Sequence, residues 1–265
     1  MAPPLREPVA AWARGAGILA LVTAGAAGGV ALARAGAPTS PALAGPPPAA
    51  SSMRRGRPPR VLHVTRVTTA PELDGRIEEA LWRETAARTG PFVDHAGAAA
   101  RPYSEARAAW SDEAGGTLYL ALYAADIDLE ARVTEADGPM QLDDAFRLTF
   151  AAAATAGAET RDAFALEGLV RGTMSDARTS AAGTDTSWNS GARLAADTDG
   201  TVNDATDDDE EWTLEWAIPL AAVGHRGDPG ETVPLSIRRC DTPKHGPRVC
   251  AGFSEGQDAA LVLDP

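Results

Sequence analysis

The chain is short of aromatic side chains, at 5 %, it has only two cysteines, and no part of it repeats apolar residues at the 3.6-residue period of a long helix. Each shortage excludes something. Without a long helical period, an α-helical bundle has nothing to pack, and no internal repeat suggests an array. The four histidines, His63, His95, His225 and His245, take no HxH or HExxH spacing, so a catalytic zinc has no ligand set. There is no GxSxG nucleophile elbow and no glycine loop for phosphate. No two carboxylates are fixed across a cleft as glycoside hydrolysis requires. A basic footprint is also missing. Residues 1–60 carry seven Arg and one Glu, which leaves −19 for residues 61–265 of a chain whose formal net charge is −13. Nucleic acid is therefore not an expected partner. Acidity on this scale suits calcium, salt tolerance or solubility.

What is present begins with an export signal. Arg6 and Arg14 precede the uncharged stretch Gly15–Ala33, whose most apolar part is Ile18–Val22. Small residues follow, and Ala31–Ala33 or Ala35–Ala37 suits signal peptidase. Residues 1–36 are thus expected to be a signal peptide or a signal anchor. Residues 37–60, rich in Pro, Ala and Arg, are expected to be a disordered linker. Residues 61–265 are expected to form one domain in the periplasm, on the cell surface or outside the cell. Contact with a membrane is expected only through the N-terminal segment. In such a compartment Cys240 and Cys250, on either side of the turn-rich DTPKHGPRV, are expected to form a disulfide across a hairpin. A metal pair there lacks two further ligands.

From residue 61 onward, strand-like runs alternate with turn-rich loops. Strands are expected at 61–68, 106–110, 117–125, 145–151, 161–171, 192–196, 212–218, 233–240, 249–253 and 260–263, with helical turns at 77–82 and 220–223. The most telling run is Glu211–Leu220, EWTLEWAIPL. Trp212, Leu214, Trp216 and Ile218 share one face, Thr213, Glu215 and Ala217 the other, and Pro219 ends the ladder. The pattern predicts an all-β fold: a single antiparallel β-sandwich of about ten strands, jelly-roll or immunoglobulin-like, with short helical turns.

Four landmarks then fall in order: PELDGRIEEALW (71–82), WSDEAGGTLYLALYAAD (110–126), QLDDAFRLTF (141–150) and EWTLEWAIPLAAV (211–223). This order resembles the family 9 carbohydrate-binding modules and their DOMON-like relatives, which include haem and sugar binders. The resemblance spans residues 64–264. It implies a β-sandwich, often holding calcium, with a sugar site at one edge, and no catalysis. It also makes Trp82 a core plug and gives Glu215 a shaping role at a strand end. The sugar clamp of the family departs here. Met140 stands where a stacking Trp is expected, Phe253–Asp258 holds no Trp, and Phe146 and Arg147 occupy the place of a sugar-binding Glu.

Other candidates follow from the residues themselves. Trp188 and Asn189, in the polar segment 183–191, pair a stacking ring with an amide; Trp110, Arg171 and Asp176 are further ligand candidates. The acidic run 197–211 breaks the EF-hand pattern, having Gly200 at position four and Asp208 at position twelve. Asp199, Asp204, Asp207 and Asp209 are the expected ligands of a calcium ion outside that motif. The expected partner is a polysaccharide or cell-wall glycan bound by a monomer. The rival readings are a surface interaction domain with a degenerate sugar site, and a haem module using His95 with Met140 or Met174.

Overall fold

The computed structural model describes residues 59–138, 143–154, 161–255 and 259–265, within one unit spanning Arg54–Pro265. The expected leader, the linker as far as residue 58, and Met140 lie outside the described residues. Nearly all of the regular structure is β. The strands are β1 (Arg60–Arg66), β2 (Ala87–Arg88), β3 (Ser104–Ser111), β4 (Thr117–Ala125), β5 (Ala145–Ala151), β6 (Ala163–Leu169), β7 (Met174–Ser180), β8 (Gly183–Asp185), β9 (Arg193–Asp199), β10 (Glu211–Pro219), β11 (Thr232–Asp241), β12 (Val249–Gly252) and β13 (Ala259–Leu263). Arg60, expected in the linker, already belongs to β1.

These strands form one continuous hydrogen-bonded path, β8-β7-β6-β5-β11-β13-β1-β3-β4-β10-β9, with β12 on β11 and β2 on β3. The sheet is mixed, which corrects the antiparallel expectation. β1 runs parallel to β13 through residues 60–64 and parallel to β3 through residues 65–66. No hairpin links β1 to either neighbour, so no turn fixes its direction. By changing partner along its length, β1 lets the sheet curl, as strands at sheet corners do.

The curl closes on one core. Trp212, Leu214, Trp216 and Ile218 of β10 are wholly buried, as the alternation requires. Trp212 meets Phe146 of β5 with ring centroids 4.8 Å apart, and Phe146 meets Phe92 edge-on at 6.2 Å. Gly168 in β6 is needed for this approach: a Cβ there would stand 2.7 Å from Trp216 Cζ2. Burying each of these large side chains stabilises the fold by roughly 1.5–3 kcal/mol.

The other face of β10 is covered by the segment that follows β1. Trp82, in the five-residue helical turn Leu81–Thr85, packs with Ala109, Tyr119, Ala121 and Ala217, joined by Val67, Leu73 and Ile77. Glu215, wholly buried, fastens this segment to the sheet. Its Oε2 accepts the amides of Asp74 and Gly75 at 3.0 and 2.8 Å, and its Oε1 accepts Trp82 Nε1–H at 2.6 Å. Gly75 takes φ +88° and passes so close to Ala196 that a Cβ would lie 2.3 Å from its carbonyl carbon.

The β3–β4 hairpin and the helical turn Leu220–Val223 occur as the sequence predicts. Cys240 and Cys250 face each other across β11 and β12 with Cα atoms 4.1 Å apart and form the disulfide. The helical turn expected at 77–82 instead starts at Leu81 and closes through a wider bond from Ala86 N–H to Leu81 O at 2.8 Å. β7 and β8 were unforeseen. Their sequences, MSDARTS and GTD, are polar on both faces because they lie at the sheet edge with little core to cover.

Candidate functional site

Two features carry polar chemistry: an acidic pocket at one end of the sheet, and a groove across its outer face. The pocket begins with Asp126, just after β4, Asp144, just before β5, and Asp241, the last residue of β11. All three are buried, and one carboxylate oxygen from each lies within 4.8 Å of the others. Arg239, itself buried, reaches Asp126 Oδ2 at 2.6 Å and Asp241 Oδ1 at 2.9 Å. One guanidinium against three carboxylates leaves excess negative charge. Burial pushes the Asp144 carboxyl up to about 8, and the charge of Asp126 adds to the effect. Burial likewise raises Asp126 and Asp241, against the pull of Arg239.

Around this pocket the loop 126–133 is held by side chains. The amides of Asp128, Leu129, Glu130, Ala131, Arg132 and Val133 donate in turn to Asp126 Oδ1, Asp209 Oδ2, Asp144 Oδ2, Asn203 Oδ1 and, for the last two, Asp143 Oδ2. Six successive amides with no strand partner are satisfied this way, at distances of 2.7–3.1 Å. A share of the chain's acidity is thus structural and internal.

The pocket passes a simple fit test for a cation. The donors are hard carboxylate oxygens, which calcium prefers, and the neighbouring Asp128 has its Oδ2 buried without a hydrogen-bond partner. The residues expected to hold calcium are elsewhere. Asp199 and Asp207 are exposed. Asp204 closes a turn on Thr206, whose hydroxyl and amide hold its carboxyl below the usual range. Asp209 accepts the amides of Thr201 and Leu129 and belongs to no converging group of carboxylates among the described residues. Among the described residues these four do not converge. The acidic run folds into turns, and the converging set comes from strand ends far apart in sequence.

The groove lies on the outward face of the other half of the sheet. Arg238, Arg147, Glu167 and Ser175 stand side by side in register across β11, β5, β6 and β7. Like charges opposite one another are unfavourable, and each Arg is offset by a carboxylate: Glu167 lies 3.6 Å from Arg147, and Glu255 3.0 Å from Arg238. The groove, about 490 Å³, is floored by Ala165, Ala177 and Ser175 and bounded by Asp137 and Thr184. No aromatic ring lines it among the described residues. Short side chains leave room for a ligand, and the charged row supplies directed hydrogen bonds from rigid strands.

No family model matches the chain, and no curated protein matches it significantly. Solved structures do. A candidate carbohydrate-binding protein from Bacteroides uniformis aligns over 77 % of this chain and 99 % of its own, with 14 % identity and a TM-score of 0.56. A family 9 carbohydrate-binding module from Caldicellulosiruptor kristjanssonii, in complex with cellotriose and with glucose, aligns at 12 % identity with TM-scores of 0.48 and 0.49. Those alignments cover 78 % and 77 % of this chain, and 95 % and 96 % of the modules. The first likeness establishes a shared fold.

The ligand candidates from sequence scatter. Trp110 is wholly buried and its indole N–H donates to the carbonyl of Asp264 at 3.0 Å, so its ring belongs to the core and not to a binding surface. Trp188 is half-buried against Phe164, centroids 5.2 Å apart, where it closes the open side of the core. Asn189 is exposed, with its Oδ1 taken by the amide of Gly191. Arg171 lies beyond the opposite end of β6 from Phe164, near the carbonyl of Val202, so it does not meet Trp188. Asp176 is buried and accepts the amide of Ser190 at 2.7 Å. His95 is exposed beside Glu255, while Met174 packs on the core. Sequence reasoning missed Glu167, Arg238 and the Asp126–Asp241 pair. Alternation along β5, β6 and β11 signals outward residues, but which strands adjoin is a matter of topology.

Proposed function

We propose that this chain is an exported, non-catalytic carbohydrate-binding domain. Its curled sheet is read as a β-sandwich of the family 9 type, monomeric, and tied to the envelope only through its N-terminal segment. The observation that carries this reading is the groove over β5, β6 and β7, with Arg147 and Glu167 projecting from rigid strands into space bounded by small residues. Hydroxyl-rich ligands are held by such directed donors and acceptors. The ordered landmarks and the fold shared with the Bacteroides protein support it.

A structural calcium ion belongs to the same proposal. Asp126, Asp144 and Asp241 would hold it, and its charge would neutralise carboxylates that Arg239 alone leaves uncompensated. It would brace the junction of β4, β5 and β11 and take no part in sugar chemistry.

The test is binding to a glycan array and to immobilised polysaccharides, with calcium and with chelator. Binding of at least one neutral glycan, weakened tenfold or more by Arg147→Ala or Glu167→Gln, is the expected result. Absence of binding under both conditions overturns the reading.

A further inference from the structure

A sugar ring is held in water chiefly by laying its C–H face on an aromatic ring, and the described residues of the groove offer none. Among the described residues nearly every aromatic ring lies in the core. Tyr103 is the exception, 40 % exposed, while Tyr123 and Trp188 are half-buried. Tyr103 and Tyr123 touch: their ring centroids are 6.0 Å apart and their planes meet at 60°. They stand on the outward face of the β3–β4–β10 half, away from the groove. Tyr123 lies in register with Glu105 on one side and Thr213 on the other, and Ala125 with Glu211.

This patch is open because the segment after β1 stops short of it. That segment covers Ala109, Tyr119, Ala121 and Ala217, farther along the same face. The rings are held in place. Tyr103 donates its hydroxyl to Glu105 Oε2 at 2.9 Å, and Glu105 is itself fixed by Arg107 at 2.7 Å and Arg88 at 3.3 Å. Burial pushes the Tyr123 hydroxyl up to about 12, helped by its hydrogen bond to Glu211, so it stays a donor at any physiological pH. Rings fixed in advance lose little freedom on binding. Arg88 and Glu211 at the margin supply one donor and one acceptor group for hydroxyls.

We infer that Tyr103 and Tyr123 form a second binding site, a V-shaped aromatic cradle that takes one pyranose unit of a neutral glycan chain. The occupant is neutral because residues 61–265 carry −19 and repel a polyanion. It is a pyranose because a V of two rings offers a ring-sized apolar seat bordered by polar groups, and Ala125 between Tyr103 and Glu211 leaves the seat unfilled. The inference rests on the carbohydrate-binding reading and adds to the groove an aromatic seat, which the groove itself lacks among the described residues.

The test is native affinity electrophoresis of the purified full chain through gels containing hydroxyethylcellulose, xyloglucan, galactomannan or, as the acidic control, carboxymethylcellulose. Retardation in at least one neutral gel is expected, tenfold weaker for Tyr103→Ala and Tyr123→Ala. Tyr103→Phe, which keeps the ring, is expected to bind within about threefold of the wild type. Equal thermal unfolding of Tyr103→Ala and wild type shows that the fold is intact. Wild-type retardation that survives both alanine substitutions overturns the cradle alone, as does loss confined to Arg147→Ala. A wild type that no gel retards, neutral or acidic, overturns the carbohydrate reading and the cradle together. Retardation by carboxymethylcellulose only overturns the choice of a neutral ligand.

Discussion

Asp144 offers the sharpest test of how the acidic pocket is balanced. The carboxyl is wholly buried, and burial pushes its folded-state pKa up from 3.8 to about 8. A carboxyl raised on folding binds its proton more tightly in the native state, so its stabilising effect is complete below pH 3.8 and fades as pH rises through 8. Between pH 6 and pH 9 that loss is on the order of 3 kcal/mol, or roughly 5–10 °C in Tm for a domain of this size. Calcium acts in the opposite sense, because it favours the ionised cluster. At a hundredfold excess over its Kd it adds about 2.7 kcal/mol, and more of that appears at pH 8.5 than at pH 5. Thermal unfolding measured across pH 5–9, with calcium and with chelator, reads both effects. Asp144→Asn lowers stability at every pH, since Asp144 accepts the amides of Glu130 and Thr242, each at 2.7 Å, and an amide has one acceptor oxygen. It also flattens the pH slope. Identical slopes for wild type and Asp144→Asn refute the burial argument, and a Tm that calcium leaves unmoved at pH 8.5 refutes the metal.

Four further outcomes follow from the same geometry. Glu215→Ala strands two buried donors and one part-buried one, so we expect a loss of about 3–6 kcal/mol in urea unfolding, with residues 70–86 becoming the first site of proteolysis; an unchanged midpoint counts against the fastening role. Burial also pushes Glu215 up to about 7, so Glu215→Gln is expected to fall behind wild type at pH 5 and close the gap as pH rises through 7, read from paired pH–stability curves. Reducing Cys240–Cys250, which closes a loop across ten residues of sequence, is expected to cost about 2–3 kcal/mol, measured as the shift in urea midpoint with and without reductant. Asp143→Ala frees the amides of Arg132 and Val133 and is expected to cost about 2–3 kcal/mol, with hydrogen exchange accelerated at residues 130–133.

The sequence by itself determined the inward and outward faces of β10, the β3–β4 hairpin, the paired cysteines and the acidic balance. The faces and the hairpin depend on neighbours one or two residues apart, where side-chain alternation and turn chemistry act; the cysteine pair spans one short turn, and the acidic balance is a matter of composition. It also determined that Trp82 is a core residue, through the order of landmarks. Only the tertiary structure decided how the strands adjoin. β1 sits between the last strand and β3, so the sheet is mixed, and no local rule fixes that placement. For the same reason Asp126, Asp144 and Asp241 converge although they are 18 and 97 positions apart in the chain. Meanwhile the dense acidic run 197–211 disperses into turns, since neighbouring aspartates spend their oxygens on their own backbone. Trp110 shows the limit of reading an aromatic residue alone: its ring is in the core because β1 and Asp264 close over it. Tyr103, unremarked in sequence, is exposed because the covering segment ends before reaching it.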